Sequence, residues 1–420
     1  MKKMPENTNN TNNTNNIINT NNTNNTNNTN KSIYLDYQSS KPVDPRVIDA
    51  MIPIFKEKYG NPSSLHRIGD VATDLLEKNR EIIAKFINAQ SNEILFTSSA
   101  TESINLGIIG YALRNKRNGN HIIISEVEHI SLHNIGKYLE KNGFRVSKVP
   151  VDQYGRIKLK KLKSRITDQT ILISIQTANN EIGTIQPIEE IGEIATEHNI
   201  PFHTDAVAAE GQIPIDVKKN NISMLTLSSN DIYGPKGVGV LYLKKGIRVQ
   251  PQIIGGGQER GFRSSTENIP GIVGMGKAAE ITLQEMQDES KRLIGFRDKM
   301  IKEILEKIPQ SYLNGHPTKR LPNNAHFRFE AIEGESILLS FKDLGIAVST
   351  GSACSSKTLE PSHTLIATGL LHEEAHGSLE ITTGRFTNQE DIDRMIEVTP
   401  GIVKRLRDMS PLYRKKPGEK

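Results

Sequence analysis

Short apolar segments alternate with helical patterns from Ile33 onward, and this alternation limits the fold more than any other feature of the chain. Strands that alternate with helices predict an α/β sheet whose parallel strands are joined by helical crossovers. The predicted strands are 93–97, 121–125, 170–177, 200–205, 223–227 and 238–243, and the predicted helices between them are 70–87, 102–114, 131–142 and 188–198.

A long helical pattern follows Pro270 and leaves this sheet. The Asn/Thr-rich N-terminus has almost nothing to bury, so we expect it to be disordered. Further helices are predicted near 335–343, 361–369 and 389–407. We therefore predict three parts, which are a disordered tail over 1–31, a large mixed-sheet α/β domain over 32–285 and a smaller C-terminal α/β domain over 286–420.

Composition and charge argue against several classes of protein. The net charge is +5, but no nucleic-acid-reading module is visible and aromatic residues are only 5% of the chain. A solvated basic surface is the simpler interpretation, and an acidic protein partner is the alternative. Since no apolar run reaches about 18 residues and no signal peptide is recognisable, we predict neither a membrane nor a nucleic acid as partner. The single cysteine, Cys354, excludes an internal disulfide and is typical of the cytoplasm.

The stretch "FTSSATESINLGI" carries a strand directly into a helix, with Ser99, Ala100 and Thr101 at the junction. Free N–H groups at a helix N-terminus, beside small hydroxyl side chains, suit a phosphate group. The alternative is an ordinary threonine N-cap with Glu102 in the first turn.

Three further residues stand where chemistry is expected. His129 follows the strand 121–125 and suits either ring stacking, proton transfer or a structural role. Asp205 ends another strand at the edge where open α/β sheets bind ligands, so it could pair with a pyridinium nitrogen or cap the next turn. Cys354 lies in "STGSACSSKTLEPSH", whose small residues suit an exposed thiolate that reaches a partner, with a buried thiol as the alternative.

Taken together, these stretches resemble the cysteine desulfurases of the NifS/IscS group, which are class V, fold-type I pyridoxal-phosphate (PLP) proteins. The resemblance covers about residues 32–405 in the family's order. It implies the fold-type I α/β fold, PLP, L-cysteine as substrate, a homodimer and an iron–sulfur scaffold protein as partner. The matching motifs are "IYLDYQSSKPVDPRV", "YGNPSSLHRIGD", "ATESINL", "EVEHISL", "ANNEIGTIQPI", "HTDAV", "YGPKGVG", "GGGQERGFRSSTEN", "EGESILL", "GSACSS", "LEPSH", "LHEEAHGS" and "GRFTNQEDID".

The resemblance also implies how the cofactor's phosphate is held. Ala100 and Thr101 bind it at the helix N-terminus, and Ser228 assists them. Thr266 reaches the same phosphate from the other subunit of the dimer. The "GSAC" motif resembles the group that feeds sulfur to iron–sulfur cluster assembly.

The remaining implied roles concern the ring and the sulfur. His129 stacks on the pyridine ring, Asp205 pairs with its nitrogen, and Asn180 lies beside cofactor and substrate. With the ring nitrogen protonated, PLP acts as an electron sink. Cys354 takes the sulfur of the cofactor-bound cysteine as a persulfide, while alanine leaves.

Three positions depart from the family's pattern. The lysine that forms the Schiff base with PLP falls at Asp231, which cannot form that bond. The glutamine that binds the cofactor's phenolate oxygen falls at Ala208. The arginine that clamps the substrate carboxylate falls at Glu380, which reverses the sign of a contact worth about 1.5–3 kcal/mol. We therefore expect PLP turnover to be impaired and PLP, where bound, to be held non-covalently.

Two other lysines could replace the missing amine. Lys236 is present in the family beside the Schiff-base lysine, so it is not a relocated catalyst. Lys41, in a position where small residues are usual, is expected near the mouth of the pocket and is a candidate for covalent attachment.

The sequence leaves three functions open. The first is a protein of iron–sulfur cluster assembly in which Cys354 carries a persulfide or ligates a shared cluster, although a carboxylate such as Asp231 is a poor ligand there. The second is a slow PLP-dependent cysteine desulfurase that yields alanine. The third is a non-catalytic partner that binds a scaffold or an active paralogue.

Overall fold

The computed structural model describes residues 32–350 and 361–413. The tail predicted over 1–31, and Cys354 with its loop, lie outside these residues. The strands are β1 (Ile33–Tyr34), β2 (Ile94–Thr97), β3 (His121–Ser125), β4 (Arg145–Val149), β5 (Thr170–Ser174), β6 (Phe202–Asp205), β7 (Met224–Ser228), β8 (Gly239–Leu243), β9 (Ser311–Leu313), β10 (Asn324–Phe329), β11 (Ile346–Ala347) and β12 (Ser378–Thr382).

Helices follow most of these strands. They are α1 (Pro45–Lys56), α2 (Arg67–Phe86), α3 (Ala100–Ile104), α4 (Gly110–Asn115), α5 (Ile130–Lys141), α6 (Leu159–Arg165), α7 (Ile188–Glu197), α8 (Ile269–Lys307), α9 (Gly334–Asp343), α10 (His363–Ala367), α11 (His372–His376) and α12 (Gln389–Met409). None of them, over the described ranges, is long and apolar enough to cross a bilayer.

Seven strands form one mixed sheet in the order β2-β8-β7-β6-β5-β3-β4. Strand β8 runs antiparallel to both β2 and β7, and the other neighbours are parallel. Strands β3, β5 and β8 are buried along their whole length, as expected for strands covered on both faces. The predicted α/β fold with a large mixed sheet is therefore confirmed.

Local bounds differ from the prediction in ways that have physical causes. The helix predicted over 102–114 is interrupted by a π-helical turn, Asn105–Ile109, between α3 and α4. The N-cap of α3 is Ser99 and not Thr101, because the Ser99 hydroxyl accepts from the N–H of Glu102 at 3.1 Å. Strand β5 ends at Ser174, before the predicted bound at residue 177.

A second, antiparallel sheet has the order β12-β10-β9. Phe327, Leu379 and Ile381 pack in one apolar cluster with residues of α8 and α12. Because side chains alternate along a strand, Glu380 points to the opposite face. The predicted domain boundary near residue 285 lies within α8, which spans 39 residues, and it stays a prediction.

Candidate active site

The carboxyl ends of parallel strands meet beside the N-terminus of α3, and a cavity of about 350 Å³ opens there. Open α/β sheets bind ligands at this edge. The sequence-predicted residues that line the cavity are Ala100, Thr101, His129, Asn180, Asp205, Ala208, Ser228 and Asp231. The structure therefore brings eight predicted positions together in one cavity wall.

The turn before α3 forms one end of the cavity. Ser99, Ala100 and Thr101 all line it, and Glu102 is fixed by Arg263, whose Nε donates to it at 2.8 Å. Strand β8 passes so close that a Cβ on Gly239 would lie 2.4 Å from the carbonyl carbon of Ser99. The free N–H groups of this turn suit the phosphate of PLP.

Asp205 lies at the end of β6 and is partly buried. Its Oδ1 accepts from the N–H of Val207 at 3.0 Å, so it also caps the following turn. Burial raises its pKa to about 6, and the nearby charge of Asp231 adds to that rise. A carboxylate here fits a protonated ring nitrogen, which would supply the missing counter-charge.

His129 is the N-cap of α5, and its Nδ1 accepts from the N–H of Ser131 at 3.3 Å. Burial lowers the pKa of its imidazole. The ring is therefore neutral at pH 7, which suits stacking on an aromatic ring. Both the structural and the cofactor-contact interpretations of His129 are compatible with this geometry.

Asp231 lies on the short 3₁₀ turn Ser229–Ile232 that follows β7, and it is 6% exposed. Burial raises the pKa of its carboxyl, and the charge of Lys41 opposes that rise. None of the cavity-lining residues in the described part of the chain is a lysine. The amine that a covalent link to PLP requires is therefore not in the cavity wall.

The expectation that Lys41 lies at the mouth of the pocket is wrong. Lys41 is 3% exposed, and its Nζ donates to the main-chain oxygen of Asp231 at 2.5 Å. The side chain packs beneath the 230–231 turn because the turn's carbonyl and carboxylate attract the ammonium. Lys236 is exposed and donates to the main-chain oxygen of Lys41 at 3.2 Å.

Three other predicted residues are not in the cavity wall. Thr266 is exposed, Glu380 is buried, and neither is among the residues that line the cavity. Cys354 lies outside the described residues, so its candidate role as a metal ligand stays a prediction. Within the described residues, no group of three or more His, Cys, Asp or Glu side chains is arranged to hold a metal ion.

Glu210 is the site residue that the sequence did not indicate. It is fully buried, and its Oε1 accepts from the N–H of Ser228 at 2.6 Å. Its Oε2 has no hydrogen-bond partner among the described residues. Burial, followed by the charge of Asp231, raises its pKa well above the usual range. The available signal was a glutamate in the otherwise small and apolar run "DAVAAEG".

Glu380 is directly opposite His326 in the β10–β12 pair, and its Oε1 has no hydrogen-bond partner among the described residues. Burial raises its pKa well above the usual range, and the charges of Glu181 and Asp36 add to this effect. At pH values above the ordinary pKa of a glutamate, the unfolded state has released the proton of Glu380, whereas the folded state keeps it. This difference lowers the free energy of unfolding as the pH rises.

Glu380→Gln should therefore raise the free energy of unfolding at pH 7–8 by about 1–2 kcal/mol, because the amide needs no proton. The gain should shrink toward pH 4, where both states of the wild-type residue are protonated. Urea unfolding at both pH values measures it. Glu306→Gln, an exposed change on α8, is the control. An equal gain at both pH values would contradict the burial argument.

A mixed seven-stranded sheet with its ligand cavity at this edge matches the architecture of PLP fold-type I proteins. The sequence profile described as "Aminotransferase class-V" matches residues 33–395, and the chain belongs to that family. It is 57% identical to "Cysteine desulfurase IscS 1" of Archaeoglobus fulgidus over 382 residues, covering 91% of this chain and 100% of that protein.

Other relatives agree with this assignment. The chain is 51% identical to "Cysteine desulfurase IscS" of Methanosarcina thermophila, over 91% of this chain and 94% of that protein. Among solved structures, a "NifS-like protein" superposes with a TM-score of 0.84 at 36% identity, over 90% of this chain and 100% of the other. A NifS-like protein from Rickettsia africae gives 0.81 at 31% identity, over 89% and 100%. These relatives support a NifS/IscS-like role, and the family implies PLP.

Proposed function

We propose that this chain handles sulfur in iron–sulfur cluster assembly through Cys354, with PLP turnover impaired. The observation that carries the proposal is Asp231, a carboxylate in the wall of an otherwise family-like cavity. A carboxylate cannot attach PLP covalently as the family's lysine does. The thiol of Cys354, which the sequence retains, then acts as a persulfide carrier or as a thiolate ligand of a shared cluster.

The charge of the cavity supports the same proposal. Asp205 and Asp231 line it, and Glu210 lies behind Ser228. The charges of Asp205 and Asp231 disfavour the carboxylate of L-cysteine, since like charges in a poorly solvated site repel each other. Ala208 adds no hydrogen bond to the cofactor's phenolate oxygen. Slow chemistry follows even where PLP binds.

The second candidate is a slow cysteine desulfurase with non-covalently held PLP. It is favoured by the cavity, which retains Thr101, His129, Asp205 and Ser228. Thr101 and Ser228 would hold the phosphate, His129 would cover the ring, and Asp205 would keep the ring nitrogen protonated. When bound, PLP would supply an electron sink for the substrate's Cα electrons. Asn180 would orient the substrate beside the ring.

The proposed partners follow from the family. L-cysteine is the candidate substrate of the remaining PLP chemistry, a scaffold protein is the sulfur acceptor, and the chain forms a homodimer in the cytoplasm. Thr266 is exposed and therefore accessible to the cavity of a second subunit. No nucleic acid or membrane is needed for this role.

The test measures sulfur handling and PLP turnover in the same samples. Purified protein is incubated with labelled L-cysteine and PLP, and alanine and protein-bound persulfide are both measured. We expect alanine near the no-protein background. Asp231→Lys should raise alanine formation at least about tenfold, since a positioned general base contributes about 10²–10⁴-fold.

The sulfur experiment uses protein preloaded with polysulfide, from which the Cys354 thiolate takes one sulfane sulfur while a shorter polysulfide leaves, and an iron–sulfur scaffold as acceptor. Cys354→Ser should abolish persulfide formation and sulfur transfer, because the hydroxyl is neither a comparable nucleophile nor a thiolate ligand. Unchanged transfer in Cys354→Ser would overturn the proposal. Alanine well above background in the wild type, lost in Cys354→Ser, would instead establish the slow desulfurase.

A further inference from the structure

Lys41 occupies a position that needs a compensating charge. Lysine is almost never fully buried unless it is paired, yet Lys41 is 3% exposed. Its Nζ donates to the main-chain oxygen of Asp231 at 2.5 Å, and its N–H donates to Asn230 Oδ1 at 3.3 Å. The ammonium also lies 5.3 Å from the ring centroid of Tyr233. Lys41 therefore holds the 230–231 turn from below the cavity.

Three carboxyl groups act on this ammonium. The charges of Asp231, Glu210 and Glu289 act on Lys41 from three different elements, and Arg385 opposes them from the segment after β12. Glu210 is fully buried with its Oε2 unpartnered among the described residues. Beneath the cavity, one ammonium therefore faces more than one carboxyl group.

The family resemblance gives this arrangement a meaning. Position 231 has lost the usual lysine, and position 41 has gained a lysine where small residues are usual. The two positions are 190 residues apart in the chain, yet the side chain of one contacts the main chain of the other. The chain therefore still has an amine, that of Lys41, beside the pocket. It lies outside the cavity lining and contacts the 230–231 turn.

We propose that Lys41 is the counter-cation of this pocket, a positioning residue that offsets Asp231 and thereby allows an anionic cofactor to bind without a covalent link. The inference rests on the proposed function in that PLP is the ligand. PLP carries a phosphate, and no lysine or arginine lines the described cavity. Without Lys41, that phosphate would enter a site with the charges of Asp205 and Asp231 unbalanced.

The first experiment titrates wild-type protein and three variants with PLP itself, followed by protein-bound absorbance. Lys41→Met should weaken PLP binding at least about tenfold, because a buried counter-charge is lost. Lys41→Met/Asp231→Asn removes both charges and should return the affinity to within about threefold of the wild type. Lys236→Met removes an exposed positive charge nearby and should change it less than about twofold.

The second experiment reports on the charge pair without any cofactor. Burial raises the pKa of Asp231 and Glu210 and lowers that of Lys41. At pH 5 the carboxyl groups retain protons more readily, so losing Lys41 costs less there than at pH 8. Lys41→Met should therefore lower the urea midpoint at pH 8 more than at pH 5. Adding Asp231→Asn should remove most of this difference. The loss of a packing contact alone would produce no such dependence on pH or on Asp231.

Three outcomes would overturn the inference. The first is Lys41→Met binding PLP as tightly as the wild type, and the second is borohydride fixing PLP to Lys41, which would make it the attaching amine. The third is a wild type that takes up no PLP at millimolar concentration. None of these outcomes bears on the proposed sulfur transfer, because that transfer depends on Cys354 and is measured without PLP.

Discussion

Glu259→Ala is expected to destabilise the protein by about 3–5 kcal/mol, which is the usual cost of removing one partner of a buried ion pair. The side chains of Arg80 and Glu259 are 4% and 2% exposed. They form two parallel hydrogen bonds, each 2.8 Å long. Removing the carboxylate leaves the buried guanidinium with only the exposed Glu77 as a counter-charge.

The same carboxylate also protects an edge of the sheet. Glu259 Oε2 accepts from the N–H of Phe96 at 2.9 Å, and β2, which contains Phe96, is the end strand of the seven-stranded sheet. Unpaired groups on an edge strand invite pairing with other chains. Glu259→Ala is therefore expected to promote aggregation during unfolding as well as to lower stability.

Urea unfolding followed by circular dichroism measures the effect. The matched control is Glu77→Ala, because Glu77 is the exposed partner of the same arginine, with 53% of its side chain accessible. Glu77→Ala should lower the free energy of unfolding by at most about 1 kcal/mol. Replacing both members, in Arg80→Met/Glu259→Met, should cost less than Glu259→Ala alone. A double variant as unstable as the single one would show that packing, and not the unpaired charge, causes the loss.

The sequence predicted the strands of the sheet's centre well, because buried parallel strands appear as continuous apolar runs. "HIIIS" and "TILIS" belong to this class, and both are buried throughout. Strand β4, "RVSKV", was missed since it is the other edge of the sheet and its exposed positions are polar. Two apolar residues in five positions are too short a pattern to separate a strand from a loop.

The candidate site likewise contains residues that the sequence could place and residues that it could not. Residues such as Thr101 and Asp205 follow strands directly, so the topology of an α/β sheet places them at one edge. Lys41 and Glu210 could not be placed, because their positions depend on contacts with the 228–231 segment far along the chain. Local pattern predicts which strand ends carry polar residues. It does not predict which buried charges meet beneath them.

Gly239→Ala is expected to lower the free energy of unfolding by about 3 kcal/mol, at the upper end of the usual cost of overpacking. The new methyl group would lie 2.4 Å from the carbonyl carbon of Ser99 and 2.6 Å from its oxygen. Both are main-chain atoms, which cannot rotate away as a flexible side chain would. Strand β8 or the turn before α3 must therefore move.

The displaced turn is the one that would hold the cofactor's phosphate. The Ser99 oxygen accepts from the N–H of Ser103 at 3.0 Å and from the Thr97 hydroxyl at 3.1 Å, so a shift disturbs the first turn of α3. Inorganic phosphate and PLP should both bind at least about tenfold more weakly to Gly239→Ala, since the N–H groups of that turn lose their alignment.

Gly295→Ala is the matched control for this change. A Cβ at Gly295, within α8, meets no atom within 4 Å. Alanine in an open helical position should stabilise by about 0.5–1 kcal/mol, because it restricts the unfolded chain and favours the helix. The same substitution thus has opposite expected signs at the two sites. If Gly239→Ala were as stable as Gly295→Ala and bound phosphate normally, the close approach of β8 to Ser99 would not be what shapes this end of the cavity.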